Sequence, residues 1–162
     1  MQELVIIRGL PGSGKTTLAR KLSLVYERRN NGLVDVCEVD HFFYRWQDIA
    51  PKGWQPVYKF DSRFLGAAHD MCFGRVMQGL YEGRDVIVAN PFSKLREIER
   101  YTNAVERIAR GKQSIAVTII ECVGEFEAQH GHSKQQAARM KAGWEDHELA
   151  SYMTPEQVNA LV

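Results

Sequence analysis

The chain has 162 residues, of which 44% are hydrophobic and 25% are charged, and its formal net charge is +1. These values are typical of one globular domain with a sizeable core, and the near-neutral charge argues against strong non-specific binding to duplex DNA. No apolar run is long enough to cross a bilayer, and the N-terminus lacks a signal-peptide pattern. We therefore expect a single domain over residues 1–162, no membrane partner, and a location in the cytoplasm, either of the encoding cell or of a phage-infected host. Nothing in the sequence indicates an oligomeric state.

The first two predicted elements enclose a glycine-rich loop. Leu4–Ile7 predicts a buried strand, and a helix is predicted from Gly14 or Lys15 to about Arg28. Residues 9–16 between them match the G-x-x-x-x-G-K-[ST] phosphate-binding pattern, in which backbone N–H groups surround the phosphates of a nucleotide. Lys15 should reach the β- and γ-phosphates, and the Thr16 hydroxyl should ligate Mg²⁺. The residues predicted to bind ATP are Gly9, Pro11, Gly12, Ser13, Gly14, Lys15, Thr16 and Thr17.

An aromatic segment follows the second predicted strand, which runs from Val34 to Val39 and ends at Asp40. Residues 41–60 are predicted to be an irregular excursion over the active face. Their aromatic side chains form either a stacking platform for nucleobases or a small core that fixes the excursion to the domain. Of these residues, Phe42 is expected to be buried, and Trp46 or Trp54 to be exposed. The aromatic residues are Phe42, Phe43, Tyr44, Trp46, Trp54, Tyr58 and Phe60.

The rest of the chain alternates helices and strands. This alternation predicts an α/β fold whose mainly parallel sheet has four to five strands and helices on both faces. Ser93 and Ser133 are predicted helix caps, the second in a capping box with Gln136, and Thr154-Pro155 predicts the start of a short last helix. The remaining predicted elements are a helix over Ser62–Glu82 with Leu65 inward and Gly83 after its end, a strand over Val86–Ala89, a helix from Ser93 to Gly111, a strand over Ser114–Ile120, and a helix carrying Ala137, Met140 and Trp144. The widely spaced Cys37, Cys72 and Cys122 are predicted to be reduced and buried.

Two polar residues follow predicted strands at the edge where ligands bind in open α/β sheets. Asp40 follows the second strand and is a candidate to accept the proton of a hydroxyl or to hold a metal-bound water, unless it merely caps a helix or faces solvent. Asn90 follows the third strand and is a candidate substrate contact. His41 adjoins Asp40 and either contacts substrate or makes a local hydrogen bond. His130 and His132 lack further ligands nearby, so no metal site is predicted there.

The chain resembles a family of small P-loop kinases that includes the phage polynucleotide 5′-kinase domain, the kinase domains of NEDD4-binding-protein-2-like proteins and, more distantly, zeta-toxin kinases. The resemblance implies an adenylate-kinase-like three-layer core, ATP-dependent phosphorylation of a hydroxyl, and a match of Asp40 to the family's acceptor-activating aspartate. It covers residues 1 to about 146. The segments that carry it are Gly9–Thr17, Glu38–Phe43, Tyr58–Phe60, Ala68–Cys72, Val86–Asn90, His130-Gly131 and Met140–Glu145.

The acceptor side departs from this family. Phe43 stands where polynucleotide kinases carry an arginine that contacts the acceptor phosphate, which makes Phe43 the corresponding candidate substrate contact. Ala89-Asn90-Pro91 replaces Asp-Thr-Asn, and residues 125–129 hold none of the family's lid arginines. The cation that stabilises the transferring phosphoryl group is therefore expected on the next helix, with Arg139 preferred over Lys134 and Lys141, although each of the three is equally explained as a surface cation.

The sequence thus predicts an ATP- and Mg²⁺-dependent kinase with Lys15, Asp40 and Arg139 as catalytic residues and a lid over about 124–141. The expected acceptor is a nucleic-acid or nucleotide hydroxyl, either a polynucleotide 5′-OH or a hydroxymethyl base such as 5-hydroxymethyluracil in phage DNA. Two alternatives stay open. One is a kinase for a small metabolite or free nucleoside, and the other is an ATP-binding module without catalytic activity.

Overall fold

The computed structural model describes residues 1–30, 34–110, 114–126 and 134–161. The strands are β1 (Gln2–Arg8), β2 (Val34–Cys37), β3 (Tyr44–Asp48), β4 (Trp54–Tyr58), β5 (Asp85–Ala89), β6 (Ile115–Cys122) and β7 (Ser151–Met153). The helices are α1 (Lys15–Asn30), α2 (Leu65–Tyr81), α3 (Leu95–Ala109), α4 (Lys134–Ala142) and α5 (Pro155–Asn159). Short 3₁₀ turns occupy Val39–Phe43 and Ser62–Phe64.

The main sheet has five parallel strands in the order β2-β5-β1-β6-β7. The first strand therefore lies in the middle, with β5 and β2 on one side of it and β6 and β7 on the other. The connections from β1 to β2 and from β5 to β6 run in opposite directions across the sheet, and such a reversal marks the place at which ligands bind in open α/β sheets. The α/β class and the mainly parallel sheet are confirmed, and β7 is a fifth strand. With three residues, of which two are exposed, this strand is too short to give a recognisable hydrophobic pattern in the sequence.

Two cores lie on opposite faces of this sheet, as alternation along β1 requires. Leu4 and Ile6 pack with residues of α2 and α3, whereas Val5 and Ile7 pack with residues of α1 and with Val158 of α5. This arrangement confirms the three-layer sandwich. All three cysteines are buried and free, as predicted. Within the part of the chain that the structure describes, no helix is long and apolar enough to span a membrane.

The segment after β2 differs from the prediction. The strand ends at Cys37 and not at Val39, because the Glu38 carbonyl accepts a hydrogen bond from the His41 N–H (3.2 Å) and starts the 3₁₀ turn. Residues 44–58 form an antiparallel hairpin, β3-β4, and not an irregular excursion. Phe43 is buried in the main core with Phe42 packed against it, whereas Trp46 and Trp54 are 68% and 67% exposed.

The helix boundaries were predicted to within a few residues. α2 begins at Leu65, after a 3₁₀ turn whose cap is Asp61, and Leu65 is exposed at the cleft and not inward. Gly83 follows α2 with a φ of +77°, a conformation that favours glycine at this position. Thr154 and Gln157 form the capping box of α5. Ser133 and Gly111 lie outside the described residues.

Two predicted helix ends are wrong for identifiable reasons. Lys94 and not Ser93 is the N-cap of α3, because the Glu97 carboxylate accepts from the Lys94 N–H (2.9 Å) and the Glu145 carboxylate accepts from the Leu95 N–H (2.8 Å). α4 ends at Ala142, so Trp144 lies beyond it. Instead, the Trp144 ring stacks 4.2 Å from the guanidinium carbon of Arg8.

Arg8 is a fully buried charge at the end of β1. Its Nη1 lies 3.3 Å from a Glu121 carboxylate oxygen, and its Nη2 donates to the backbone carbonyls of Phe92 (3.0 Å) and Glu145 (2.6 Å). A buried charge needs such partners to offset its desolvation. This cluster thereby joins β1, β6, the loop after β5 and the segment after α4.

Candidate active site

The phosphate-binding loop occupies residues 9–14 between β1 and α1. Gly9 has a φ of +152°, and a Cβ placed there would lie 2.3 Å from the Ser13 Oγ and 2.8 Å from the Cys122 carbonyl oxygen. Gly14 has a φ of +98°, directly before the first residue of α1. The close approach at Gly9 and the positive φ at Gly14 exclude larger side chains, and they direct backbone N–H groups toward an anion at the helix N-terminus.

Lys15 lies folded over this loop. Its Nζ donates a hydrogen bond of 2.8 Å to the Leu10 carbonyl oxygen. Burial lowers the pKa of Lys15 to about 8, although the nearby Cys122, Glu38 and Asp40 act in the opposite direction. Because a polyphosphate favours the charged ammonium, Lys15 gains a stronger partner than the Leu10 carbonyl when a nucleotide binds.

Glu38 is a site residue that the sequence reasoning did not single out. It is buried, and its Oε2 lies 3.3 Å from the Thr16 Oγ1, which donates to it. Burial raises the pKa of Glu38, and the Thr16 hydrogen bond acts in the opposite direction. The signal for Glu38 was its place directly after β2, because that edge of the sheet also carries the phosphate-binding loop.

Asp40 lies in the 3₁₀ turn after Glu38, partly buried and on the wall of the same cleft. The Tyr58 hydroxyl donates a 2.7 Å hydrogen bond to the Asp40 Oδ1. Burial and the adjacent Asp40 raise the pKa of Tyr58, so the phenol keeps its proton and remains a donor. The hairpin thus holds the Asp40 carboxylate through the Tyr58 hydroxyl.

A cleft of about 1230 Å³ joins these groups. The phosphate-binding loop, Glu38 and Asp40 form one part of its wall, and the N-terminal turns of α2 and α3 form another. The basic side chains on the wall outnumber the acidic ones, so the cleft suits an anionic occupant. These wall residues are Lys15, Lys94, Arg96, Arg100 and Arg139 on the basic side and Glu38, Asp40 and Glu97 on the acidic side.

Of the other predicted site residues, Arg139 and Asn90 lie at the cleft, whereas Lys134 and Lys141 do not. Arg139 of α4 lines it, whereas Lys134 and Lys141 are exposed elsewhere on the same helix. Asn90 lines it but is buried, and its Oδ1 accepts from the Val39 N–H (2.8 Å), which fixes the turn that carries Asp40.

The predicted acceptor contacts at Phe43 and His41 need correction. Phe43 is in the core because its ring packs against Phe60 and Tyr58, at centroid distances of 4.9 and 6.2 Å, so it does not form part of the cleft wall. His41 is exposed beside Asp40 and is not on that wall either. The Phe43 ring therefore belongs to the core and not to the wall of the cleft.

Comparison with known sequences gives one family and a distant relative. The model of the AAA_33 family, described as an AAA domain, matches residues 4–150. Human NEDD4-binding protein 2 is 39% identical over 67 residues, which are 41% of this chain and 3% of that protein. The chain therefore matches a small part of that relative's length.

Solved structures share the fold. A putative kinase from Chloroflexus aurantiacus superposes with a TM-score of 0.65 at 23% identity, covering 99% of this chain and 91% of the other. A gluconokinase from Sinorhizobium meliloti superposes with a TM-score of 0.58 at 12% identity, covering 98% of this chain and 89% of the other. A chain of the Pnkp1/Rnl/Hen1 complex superposes with a TM-score of 0.52 at 21% identity, covering 83% of this chain and 40% of the other. At these identities the likeness shows the fold alone.

Proposed function

This chain belongs to the AAA_33 family of AAA domains, and on that basis we propose that it is an ATP-dependent kinase whose acceptor is a hydroxyl group of a nucleic acid or nucleotide. One observation carries the proposal: Lys15, the Glu38–Thr16 pair and Asp40 meet in a single cleft. Phosphoryl transfer needs positioning, charge neutralisation and a group that orients the attacking oxygen. The three features supply these needs in that cleft.

The donor half of the site binds the triphosphate. The N–H groups of the loop and the N-terminus of α1 face the phosphates, and the Lys15 ammonium neutralises charge at the β- and γ-positions. The Thr16 hydroxyl and Glu38 carboxylate are adjacent oxygen donors, which suit Mg²⁺ bound together with a nucleotide. Among the described residues no group of three or more His, Cys, Asp or Glu side chains forms a metal cage. When bound, Mg²⁺ would neutralise phosphate charge.

The acceptor half prepares the hydroxyl. Asp40 accepts its proton while the hydroxyl oxygen forms a bond to the γ-phosphorus and the bond from that phosphorus to the β–γ bridging oxygen breaks. The Tyr58 hydrogen bond holds the Asp40 carboxylate in place. Arg139, on the cleft wall, neutralises charge on the transferring group.

The cleft wall supports a phosphate-bearing acceptor. The Arg96 side chain is exposed at the first turn of α3 and makes no hydrogen bond or ion pair with any described residue. Lys94 and Arg100 also line the wall, where they are paired with Glu145 (3.1 Å) and Asp70 (2.9 Å). The fold shared with a chain of the Pnkp1/Rnl/Hen1 RNA repair complex agrees with a nucleic-acid acceptor. Within this class the acceptor is a polynucleotide 5′-OH or a hydroxymethyl base such as 5-hydroxymethyluracil in phage DNA.

The test is transfer of labelled phosphate from ATP to a panel of acceptors. The panel holds single-stranded oligonucleotides with a 5′-OH, DNA containing 5-hydroxymethyluracil, free nucleosides and gluconate. Label on either nucleic acid supports the proposal, and the labelled position separates the two hydroxyls. Label on nucleosides or gluconate alone contradicts the nucleic-acid acceptor.

A small-metabolite kinase is the second candidate, because the fold is shared with a gluconokinase and the net charge is near neutral. A non-catalytic ATP-binding module is the third. It is excluded by a measurable transfer rate that Asp40→Asn removes while the affinity for ATP is kept.

The Glu38–Thr16 contact leads to a prediction on metal dependence. In Glu38→Gln the carboxylate charge next to Thr16 is lost, so we expect the Mg²⁺ concentration for half-maximal rate to rise by about tenfold or more. A Mg²⁺ titration of initial rates at saturating ATP measures this change. Glu27→Gln, at an exposed site on α1, is the matched control. An unchanged Mg²⁺ requirement would remove Glu38 from the metal site.

The Tyr58–Asp40 contact leads to a prediction on kcat. Tyr58→Phe keeps the ring but removes the donor, and hydrogen bonds to charged groups contribute about 1.5–3 kcal/mol. We expect kcat to fall about tenfold while the Kd for ATP stays the same, since Tyr58 does not line the nucleotide cleft. Tyr152→Phe, at an exposed position on β7, provides the comparison. An equal loss in both variants would mean that the Tyr58 hydroxyl has no special role.

A further inference from the structure

The β3-β4 hairpin gathers its aromatic residues on one face. Residues directly opposite in an antiparallel pair share a face, and the register pairs Tyr44 with Tyr58, Trp46 with Pro56, and Asp48 with Trp54. Four aromatic rings therefore point to the same side of the hairpin. We call this surface the aromatic face; it consists of Tyr44, Trp46, Trp54, Pro56 and Tyr58, with Asp48 at its outer end.

This face is continuous with the proposed active site. Its inner end is Tyr58, whose hydroxyl bonds to Asp40, and the Tyr44 ring packs edge-on against Tyr58 at 5.4 Å. Its outer part is Trp46 and Trp54, which are 68% and 67% exposed. The hairpin is fixed to the domain by Phe43, which is buried in the main core, and by Tyr58, which packs against that core and bonds to Asp40, so the two exposed tryptophans are not needed for that attachment.

The charges around the hairpin favour an anionic partner. Residues 44–63 contain four cations and two acids, and the pairing of Asp61 with Arg63 leaves three cations and one acid, Asp48. The four cations are Arg45, Lys52, Lys59 and Arg63. Exposed aromatic rings on a segment with a net positive charge suit a single-stranded polynucleotide, since its bases stack on the rings and its phosphates attract the cations.

We propose that the aromatic face binds the bases of a single-stranded polynucleotide next to the acceptor hydroxyl, with Trp46 and Trp54 as the stacking residues. The proposal rests on the proposed kinase function and names the form of its acceptor. In this arrangement the bound strand meets Asp40 at Tyr58, the inner end of the aromatic face. The strand would then lead from the two tryptophans toward the carboxylate that takes the proton.

Binding is measured without catalysis, in the Asp40→Asn background, by the fluorescence anisotropy of a labelled oligothymidylate of about ten nucleotides. A strand of equal length without bases is the matched probe. We expect Trp46→Ala and Trp54→Ala each to raise the Kd for the oligothymidylate at least about fivefold. The Kd for the abasic strand should hardly change, because the phosphates remain. Tyr81→Ala removes an exposed ring on the far end of α2 and serves as the control.

Several outcomes would overturn the proposal. One is equal weakening for the base-containing and abasic strands, which would mean that the tryptophans are not stacked on bases. A second is unchanged binding in both tryptophan variants whose thermal unfolding matches that of the parent. A third is a dimer in analytical ultracentrifugation that the tryptophan variants abolish, which would make the face a contact between copies of this chain. If the proposed function fails instead, wild-type protein will phosphorylate no nucleic acid, whatever the tryptophan variants show in binding.

Discussion

Replacing Lys15 with alanine is expected to lower the rate of phosphoryl transfer by about 100- to 1000-fold, the loss seen when one preorganised electrostatic donor is removed. The affinity for ATP should fall as well, because Lys15 contacts the phosphates in the ground state and in the transition state. Initial rates with labelled ATP and calorimetric binding measure the two effects. Lys21→Ala, on the same helix but off the cleft wall, is the control.

The free energy of unfolding of Lys15→Ala should show that its loss of activity does not come from a loss of folded protein. Burial lowers the pKa of Lys15 from 10.5 to about 8, so between these two pH values the unfolded state binds more protons than the folded state. The free energy of unfolding of the ligand-free wild type therefore gains a contribution that rises with pH in that window. Lys15→Ala lacks the contribution. Denaturant unfolding of both proteins at pH 8 and pH 10 tests this difference: the wild type should gain more stability between the two pH values than Lys15→Ala, and equal gains would contradict the shift.

Replacing Asp40 with asparagine is expected to lower kcat by about 100- to 10,000-fold, the range for loss of a general base. Asparagine has nearly the same size and still accepts the Tyr58 hydrogen bond, but it cannot take a proton at neutral pH. The Kd for ATP should stay within about twofold, since the loop and Lys15 are intact. Single-turnover rates and ATP titrations report the two quantities.

The control for Asp40 is Asp146→Asn, an exposed acid beyond α4. A loss of less than about tenfold in Asp40→Asn would mean that the carboxylate is not the proton acceptor. A large loss of ATP affinity would assign Asp40 to the donor half of the site instead. The contrast between Lys15→Ala, which weakens both binding and chemistry, and Asp40→Asn, which affects chemistry alone, is the pattern that the proposed mechanism requires.

The donor half of the site could be predicted because its parts are local in the sequence. The loop, Lys15 and Thr16 are consecutive, and their backbone geometry follows from the glycines. The acceptor half depends on contacts that cross the fold. Tyr58 meets Asp40 through a hairpin that the sequence concealed, because Pro51, Gly53 and Pro56 suggested irregular structure, whereas they lie in its turn and on β4.

Phe43 and Glu38 show the same limit. An aromatic residue beside a candidate base has no pattern that distinguishes a core position from a substrate contact, and it is the packing of Phe43 on Phe60 that decides. Glu38 acquires its role from a contact across the fold, because the Thr16 hydroxyl of α1 lies 3.3 Å from its carboxylate although the two residues are 22 positions apart. The five-stranded fold was mostly predictable, since β1, β5 and β6 carry apolar runs and three of the four residues of β2 are apolar, whereas β7 has only three residues and no apolar run.

The buried Arg8 cluster anchors the helix that carries Arg139. The chain just after α4 is attached to the core by the Glu145 carbonyl, which accepts from Arg8, and by the Glu145 carboxylate, which caps α3. Arg139 lies three residues before Ala142, the last residue of α4, and therefore stands near the attached end of its helix. The buried guanidinium of Arg8 thus fixes the backbone from which a second guanidinium, that of Arg139, reaches the wall of the cleft.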